Sequence, residues 1–167
     1  CWGSALAGAS GVAMRRKFSA REFWEDCRKY RATAIGYVGE LCRYLNEVPA
    51  KPIDRDHLVR KAIGNGLRPG IWMPFKKRFG IEQVLELYAS SEGNIGFSNI
   101  FNFDNTVGFS PLPYAIVEYD KENEQPGRGK DGFMKKVKKG ESGLMVAQIT
   151  DKTPFDGYTD PAKNEAS

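Results

Sequence analysis

Residues 59–88 read VRKAIGNGLRPGIWMPFKKRFGIEQVLELY, and this stretch decides the fold class. Val59–Ile63 has β-branched residues at both ends and is predicted to form a strand. A helix should begin near Pro69 and stop at Gly80, because proline is favoured in the first turn of a helix and glycine just after the last. Gln83–Tyr88 is predicted as the next strand. A strand, a helix of about a dozen residues and a further strand are typical of a parallel βαβ unit.

The segment upstream contains a helix with several start signals. Ser19 is a candidate N-cap, and Glu22 three residues later would complete a capping box. Phe18 and Phe23 are placed to form the hydrophobic staple across that cap. We therefore predict that a half-buried helix starts after Ser19.

The alternation of strand and helix continues in the next segment. Thr33–Ile35 is predicted as a short buried strand, and an amphipathic helix follows with Tyr37 and Leu45 among its inward residues. Pro49 ends this helix, because proline interrupts the hydrogen-bond ladder. Residues 1–106 are thus expected to form part of an α/β core, in which ligands bind at the carboxyl ends of the strands.

The pattern changes beyond about residue 105. Tyr114–Tyr119 and Leu144–Ala147 are apolar runs separated by polar, glycine-rich connections without a helical period. Strands joined by turns are typical of an antiparallel sheet or a small barrel. We expect residues 107–167 to belong to a β-rich subdomain, and both parts to be a fragment of one larger domain.

Composition and cysteine usage narrow the class of protein. With 167 residues, 41% of them hydrophobic, the sequence is typical of a soluble domain with a buried core. No window reaches the roughly 18 apolar residues of a membrane-spanning helix, so any membrane contact is expected to be peripheral, at the inner face. Cys1, Cys27 and Cys42 form no C-x-x-C pair, which favours a reducing, cytoplasmic setting without a zinc or redox motif.

Two polar features have an ordinary structural interpretation. The net charge of +4 is too small to indicate nucleic acid as a partner unless the positive residues cluster. Lys135–Lys139 is such a cluster, but it precedes a glycine turn and lacks interleaved aromatic residues, so we interpret it as a solvated hairpin. His57 is the single histidine, in a charged stretch, and is interpreted as a solvated helix residue rather than a catalytic base.

The loop that follows Gln83–Tyr88 carries the residues with the most chemistry. Ser90 and Ser91 offer hydroxyls and amides to phosphate oxygens, and Glu92 is a hard ligand suited to the Mg²⁺ that accompanies ATP. Spacing alone favours an ordinary polar turn here. The turn Gly64-Asn65-Gly66 is a weaker signal, but it follows the preceding strand of the predicted sheet. Both loops should therefore open on the same edge and could share a ligand.

A series of segments spread along the chain carries a family pattern. They are Arg16–Ala20 with Phe23-Trp24, Tyr37–Leu45, Gly64–Pro69, Arg78–Ile81, Tyr88–Asn94, Gly140–Leu144 and Thr153–Tyr158. In this order they resemble the very-long-chain acyl-CoA synthetase and fatty acid transport protein family of the adenylate-forming superfamily. The resemblance implies the parallel βαβ units of an adenylation domain, followed by antiparallel strands of a small β-subdomain.

The resemblance also implies roles for the loop after the strand. Tyr88 would flank the adenine, with Ala89 and Ser90 along the nucleotide. Ser91 would bond a phosphate and Glu92 would hold Mg²⁺, so that these two are the candidate catalytic residues. Ser91 stands where the family has threonine and keeps the hydroxyl, whereas Ala89 replaces a glycine and adds a methyl group beside the acyl group.

Two further groups of residues match family segments. The first group is Gly64, Asn65 and Gly66, which match the family segment that lines the adenine, so the resemblance implies that they contact the nucleotide. The second group is Tyr37, Val38 and Gly39, which match a segment near the acyl entrance, so the resemblance implies that they contact the substrate.

The activity implied by the resemblance is the joining of a fatty acid to ATP as acyl-AMP, followed by its transfer to coenzyme A. ATP/AMP and Mg²⁺ would take part, and fatty acid, ATP and coenzyme A would be the binding partners. The family's phosphate loop and catalytic lysine are not found in these residues, so the chain alone is expected to be inactive. A ligase for another acid, such as a carnitine-like or short-chain acid, and a non-catalytic binding or transport module are the alternatives.

Overall fold

The computed structural model describes residues 7–8, 10–89, 94–151, 153–155, 157 and 159. The chain divides into two compact units, Cys1–Tyr88 with Phe97–Phe109 and Ala89–Gly96 with Ser110–Ser167. The predicted boundary after residue 106 stays a prediction. None of the helices in the described ranges has both the length and the hydropathy that crossing a membrane requires.

In chain order, the elements defined in full are α1 (Phe23–Lys29), β1 (Ala34–Val38), α2 (Gly39–Glu47), β2 (Lys61–Asn65), α3 (Pro69–Phe79), β3 (Gln83–Ala89), β4 (Gly96–Ser98), β5 (Tyr114–Val117), β6 (Tyr119–Asp120), β7 (Gln125–Pro126) and β8 (Leu144–Ala147).

The main sheet has the strand order β1-β2-β3-β4, and its first three strands are parallel. Tyr37 on β1 lies opposite Gly64 on β2, and Gly64 lies opposite Glu86 on β3. The chain passes from β1 to β2 through α2 and from β2 to β3 through α3. The predicted parallel βαβ units are therefore confirmed.

Helix α3 begins and ends where its sequence signals predict. Pro69 is its first residue, and Gly80 follows it in the left-handed conformation with φ of 65°. Trp72, Phe75 and Phe79 are at most 1% exposed and form the centre of the hydrophobic core of the first unit.

Helix α1 begins later than predicted. It starts at Phe23, and Glu22 precedes it without a side-chain cap. The Glu22 carboxylate forms an ion pair with Arg15, so the predicted capping box with Ser19 is wrong. A guanidinium is a stronger partner for a carboxylate than a backbone amide, which explains the difference. The staple contact is present, since the rings of Phe18 and Phe23 have centroids 5.9 Å apart.

Tyr37 lies on β1, which corrects its prediction as a helix residue. Its backbone pairs in register with Gly64, and the pairing continues to Val38 opposite Asn65. These strand contacts keep the chain extended, so α2 begins only at Gly39. The Tyr37 side chain is buried, as predicted, but it lies on a face of the sheet.

His57 is a core residue, which corrects its interpretation as a solvated helix residue. It lies in an irregular segment before β2 and is only 6% exposed. Its ring stacks on Trp24 with centroids 4.3 Å apart. Stacking on an indole removes the imidazole from water, and the charged residues beside it in the sequence give no sign of this contact.

Asparagine side chains complete the outer edge of β3. The backbone N–H of Val84 donates to Oδ1 of Asn102 at 3.0 Å, and its carbonyl accepts from Nδ2 of Asn99 at 3.4 Å. The N–H of Asn99 donates to the carbonyl of Glu86 at 2.9 Å. These bonds satisfy backbone groups that a neighbouring strand would otherwise pair, and they fix β3 in place.

The second unit is built from antiparallel strand pairs, as predicted. In the β5–β8 pair, Tyr114 lies opposite Ala147 and Val117 lies opposite Leu144. Strands β6 and β7 form a second antiparallel pair. This change from parallel to antiparallel pairing confirms the predicted change of architecture along the chain.

The basic segment Lys135–Lys139 faces solvent. It follows a hairpin in which Arg128 forms a bridge with Met134. Its lysines are exposed, and Lys135 forms an ion pair with Glu118 at 2.8 Å. The expected exposure of this segment is observed, and the expectation that it does not bind nucleic acid stays a prediction.

Candidate functional site

Three strand ends meet at one edge of the parallel sheet. Val38 at the end of β1 lies opposite Asn65 at the end of β2. On β3, Glu86 lies opposite Gly64, and Tyr88 follows two residues later. Because the strands are parallel, the residues that follow them emerge on the same side. The predicted convergence is confirmed for these strand ends.

Glycines allow the first two of these segments to touch. A Cβ added to Gly39 would lie 1.7 Å from the carbonyl oxygen of Gly66, and one added to Gly64 would lie 2.1 Å from the carbonyl oxygen of Tyr37. Gly66 has φ of 77°, in the left-handed region. Only glycine fits these contacts, so the end of β2 and the start of α2 pack backbone to backbone. Gly64 and Asn65 are strand residues, which corrects their prediction as part of a turn, and Gly66 directly follows the strand.

A buried carboxylate lies directly behind this edge. Glu86 is 2% exposed, and its Oε2 accepts a hydrogen bond from the hydroxyl of Tyr37. Its Oε1 accepts from the backbone N–H of Leu67 at 3.2 Å. Sequence reasoning missed Glu86. The available signal was its alternation with Val84, which places a carboxylate on the inward face of an otherwise apolar strand.

Burial changes the acid–base character of the groups beside Glu86. It raises the pKa of the Tyr37 hydroxyl, and the hydrogen bond to Glu86 raises that pKa further. Burial, with a smaller effect of Glu86, also raises the pKa of the Cys42 thiol to about 12. At neutral pH Tyr37 is therefore a donor and Cys42 an inert thiol, since the thiolate is the nucleophile.

The side chains of Val38 and Asn65 lie on the other face of the sheet. Neighbouring residues of a strand point to opposite faces, and Tyr37 is buried on β1 whereas Val38 is 56% exposed. Asn65 is also exposed. Among the predicted acyl-site residues, Tyr37 and Gly39 are engaged within the fold, and Val38 presents its side chain to solvent.

Tyr88 lies on the same face of β3 as Val84 and Glu86, near the end of the strand, and its ring is partly accessible. Its side chain is 41% exposed, and the ring meets Phe97 edge to face with centroids 6.1 Å apart. Phe97 thus fixes one side of the ring, while the remainder is open to a stacking partner. Ala89, the last residue of β3, is exposed.

Ser90, Ser91 and Glu92 lie outside the described residues, as does Gly93. Their assignment to phosphate and Mg²⁺ stays a prediction. Within the described ranges, no group of three or more histidine, cysteine, aspartate and glutamate side chains is placed to hold a metal ion.

Asn94, just after that loop, connects two segments of the family pattern within the second unit. Its Nδ2 donates to the carbonyl of Gln148 at 3.0 Å and to the carbonyl of Thr153 at 3.1 Å. Thr153 begins the Thr153–Tyr158 segment, which sequence reasoning noted without a role. One amide group therefore holds the loop end to residues 54 and 59 positions further along the chain.

Comparison with known proteins agrees with this architecture. The profile of the family described as "AMP-binding enzyme" matches residues 1–134. Medium/long-chain-fatty-acid–CoA ligase FadD6 of Mycobacterium tuberculosis is 49% identical over 162 residues, which cover 97% of this chain and 27% of that protein. Long-chain fatty acid transport protein 2 of Rattus norvegicus is 48% identical over 162 residues, with 93% and 26% covered. The chain thus spans about a quarter of the length of these relatives.

A solved structure shares the fold. ATP-bound MatB from Rhodopseudomonas palustris superimposes with a TM-score of 0.69 at 19% identity, and the match covers 98% of this chain and 31% of MatB. At that identity the likeness concerns the fold alone. Since the family profile covers most of the sequence, this chain belongs to the family of AMP-binding enzymes.

Proposed function

We propose that the protein carrying this chain is an AMP-forming fatty acid–CoA ligase. In the first half-reaction the fatty acid carboxylate attacks the α-phosphorus of ATP, and pyrophosphate leaves to give acyl-AMP. In the second, the thiol of coenzyme A attacks the acyl carbonyl carbon and AMP leaves. The observation that carries the proposal is the 49% identity to a medium/long-chain fatty acid–CoA ligase along 97% of the chain.

The adenine is assigned to the edge formed by Gly64, Asn65, Gly66 and Tyr88. The exposure of Asn65 and Gly66 supports this assignment, because Gly66 has no side chain that would keep a ligand away from the backbone. The Tyr88 ring, 41% exposed and braced by Phe97, offers a stacking surface at the next strand end. Ala89 and Ser90 continue along the nucleotide.

The triphosphate is assigned to Ser91 and Glu92. The Ser91 hydroxyl would donate to a phosphate oxygen, and the Glu92 carboxylate would hold Mg²⁺. The bound ion would supply positive charge that offsets the charge developing on the departing pyrophosphate. Both residues act by position and electrostatics rather than by forming a bond to the substrate.

The acyl group is assigned to the segment Tyr37, Val38 and Gly39. Val38 supports this assignment, since it is an apolar side chain exposed at the end of β1. Tyr37 and Gly39 would fix the backbone of this segment beneath the acyl group. The Tyr37 hydroxyl is held by Glu86, and Gly39 packs on the carbonyl of Gly66.

A second candidate is a non-catalytic fatty acid binding or transport module of the same fold. The 48% identity to a relative named long-chain fatty acid transport protein 2 favours it. A ligase for another acid is the third candidate. All three predict binding of a carboxylic acid, but only the ligases consume ATP.

The test is an assay of the intact protein that carries this sequence. Acyl-CoA and AMP should form together from medium- and long-chain acids, with ATP and Mg²⁺ required. Glu92→Gln should lower kcat by at least about a hundredfold, since one metal ligand and its charge are lost. ATP-dependent activity confined to short-chain or carnitine-like acids would support the third candidate. Fatty acid binding without ATP consumption would support the second.

We also propose a cytoplasmic location with peripheral contact at the inner face of a membrane. A long acyl chain partitions into a bilayer, so an enzyme that activates it gains substrate by working at that surface. The intact protein should sediment with phospholipid vesicles that contain oleic acid. Recovery in the supernatant at all lipid concentrations would contradict this proposal.

A further inference from the structure

Glu86 is a carboxylate buried within an apolar strand. It is 2% exposed, and its sequence neighbours are Leu85 and Leu87. The ion pairs formed among the described residues do not involve it. Moving a carboxylate from water into a core is unfavourable unless hydrogen bonds replace its hydration. The partners that replace its hydration therefore indicate what Glu86 does.

Those partners come from two different segments. The hydroxyl of Tyr37 on β1 donates to Oε2. The backbone N–H of Leu67, just after β2, donates to Oε1 at 3.2 Å. The two donors lie 49 and 19 residues away in the sequence. A single carboxylate on β3 thus holds a side chain of β1 and the backbone just after β2.

Gly64 makes this arrangement possible. It lies in register between Tyr37 and Glu86, on the strand that separates them. A Cβ at Gly64 would lie 2.8 Å from Cγ of Tyr37. Any larger residue would displace the tyrosine ring that reaches across β2 to the carboxylate.

The held segment is the turn assigned to adenine. Leu67 is 5% exposed, and its N–H is fixed by Glu86, directly after Gly66 in the left-handed conformation. On its other side the turn abuts Gly39, where a Cβ would lie 1.7 Å from the Gly66 oxygen. Gly66 and Leu67 are therefore held between the buried Glu86 carboxyl group and the start of α2.

We infer that Glu86 is a positioning residue for the nucleotide site, holding the segment Gly64–Gly66 at the end of β2 through the Leu67 amide and the Tyr37 hydroxyl. The inference rests on the proposed function. Glu86 lies behind the turn and acts through it, without contact with the nucleotide. An ordered turn receives adenine without a further entropic cost of ordering, so loss of Glu86 should weaken ATP binding selectively.

The kinetic test compares variants of the intact protein. Glu86→Ala should raise the KM for ATP about tenfold or more and leave the KM for coenzyme A unchanged. Glu86→Gln keeps a carbonyl oxygen for the Leu67 amide and should stay within about threefold of the wild type. Glu82→Ala is the matched control, because that carboxylate precedes the same strand and its side chain is 70% exposed. A lower kcat with an unchanged KM for ATP would show a merely structural role and overturn the inference.

Hydrogen exchange of the Leu67 amide gives a readout that does not need activity. Exchange in the nucleotide-free protein should be about tenfold faster in Glu86→Ala than in the wild type. Tyr37→Phe, which removes one hydroxyl, should show a smaller increase and serves if Glu86→Ala does not fold. Unchanged exchange in a folded variant would overturn the inference. A wild type without ATP-dependent activity would refute the proposed function, and the exchange rate would still decide whether Glu86 holds the turn.

Discussion

Trp24 and His57 stack face to face in the core of the first unit, with ring centroids 4.3 Å apart and ring planes inclined by 10°. Burial lowers the pKa of His57 below its ordinary value of 6.5. Arg60 and Arg28 lower it further, while Asp56 acts in the opposite direction. The imidazole is therefore neutral in the folded protein at neutral pH.

This stacking predicts a loss of stability in mild acid. The unfolded chain takes up a proton near pH 6.5, whereas folded His57 takes it up only at lower pH. The contribution of neutral His57 to the free energy of unfolding is thus fully present above pH 6.5. It declines as the pH falls below that value, by at most about 1.4 kcal/mol per pH unit. His57→Phe keeps a stacked ring without titration, so its free energy of unfolding should fall less between pH 7.5 and 5 than that of the wild type. Equal pH dependence of the two proteins would contradict this prediction.

Gly39→Ala should destabilise the protein by about 1–3 kcal/mol, because the new methyl group would overlap the Gly66 oxygen. Chemical denaturation measures the change. Gly70→Ala is the matched control. Nothing lies within 4 Å of a Cβ at Gly70, which is in α3, so alanine there should raise stability by about 0.5–1 kcal/mol. Similar stabilities for the two variants would show that the contact between the turns is not tight.

Phe75→Ala should lower the free energy of unfolding by about 3–5 kcal/mol, since Phe75 is fully buried and the cavity cannot refill. Met73 on the same helix is 46% exposed, and Met73→Ala should change stability by less than about 0.5 kcal/mol. Thermal or denaturant unfolding compares the two. A small effect at Phe75 would mean that α3 does not form the core.

Cys27 and Cys42 should resist alkylation in the folded protein. They are 6% and 0% exposed, and burial raises their thiol pKa values to about 11 and about 12. Iodoacetamide at pH 8, followed by mass spectrometry of the peptides, should label both slowly in native protein and fully in denaturant. Rapid native labelling of Cys42 would contradict the close packing of α2 on the sheet.

Features set by local chemistry were predicted well. Pro69 and Gly80 mark the ends of α3, because their backbone preferences act within a single turn. The parallel and antiparallel strand pairs followed from the presence or absence of helices between strands. These signals need no knowledge of distant contacts.

Features set by distant partners were not predictable from local patterns. Glu22 suits a capping box, yet Arg15 competes for its carboxylate. Tyr37 fits a helical period, but pairing with β2 makes it a strand residue. Glu86 acquires its role only through donors 19 and 49 residues away. In the candidate site, the positions of Gly64–Gly66 and of Tyr88 could be predicted from strand order. The hydrogen bonds of Glu86 that hold this segment from within the core could not be predicted.

The central claim, adenylation of a fatty acid at the edge where Gly64–Gly66 and Tyr88 meet, is tested most directly by ATP–pyrophosphate exchange in the intact protein. We predict that labelled pyrophosphate enters ATP only when a medium- or long-chain fatty acid and Mg²⁺ are present, and that Glu92→Gln abolishes this incorporation. Absence of acid-dependent exchange in the folded wild type, or undiminished exchange in Glu92→Gln, would contradict the account.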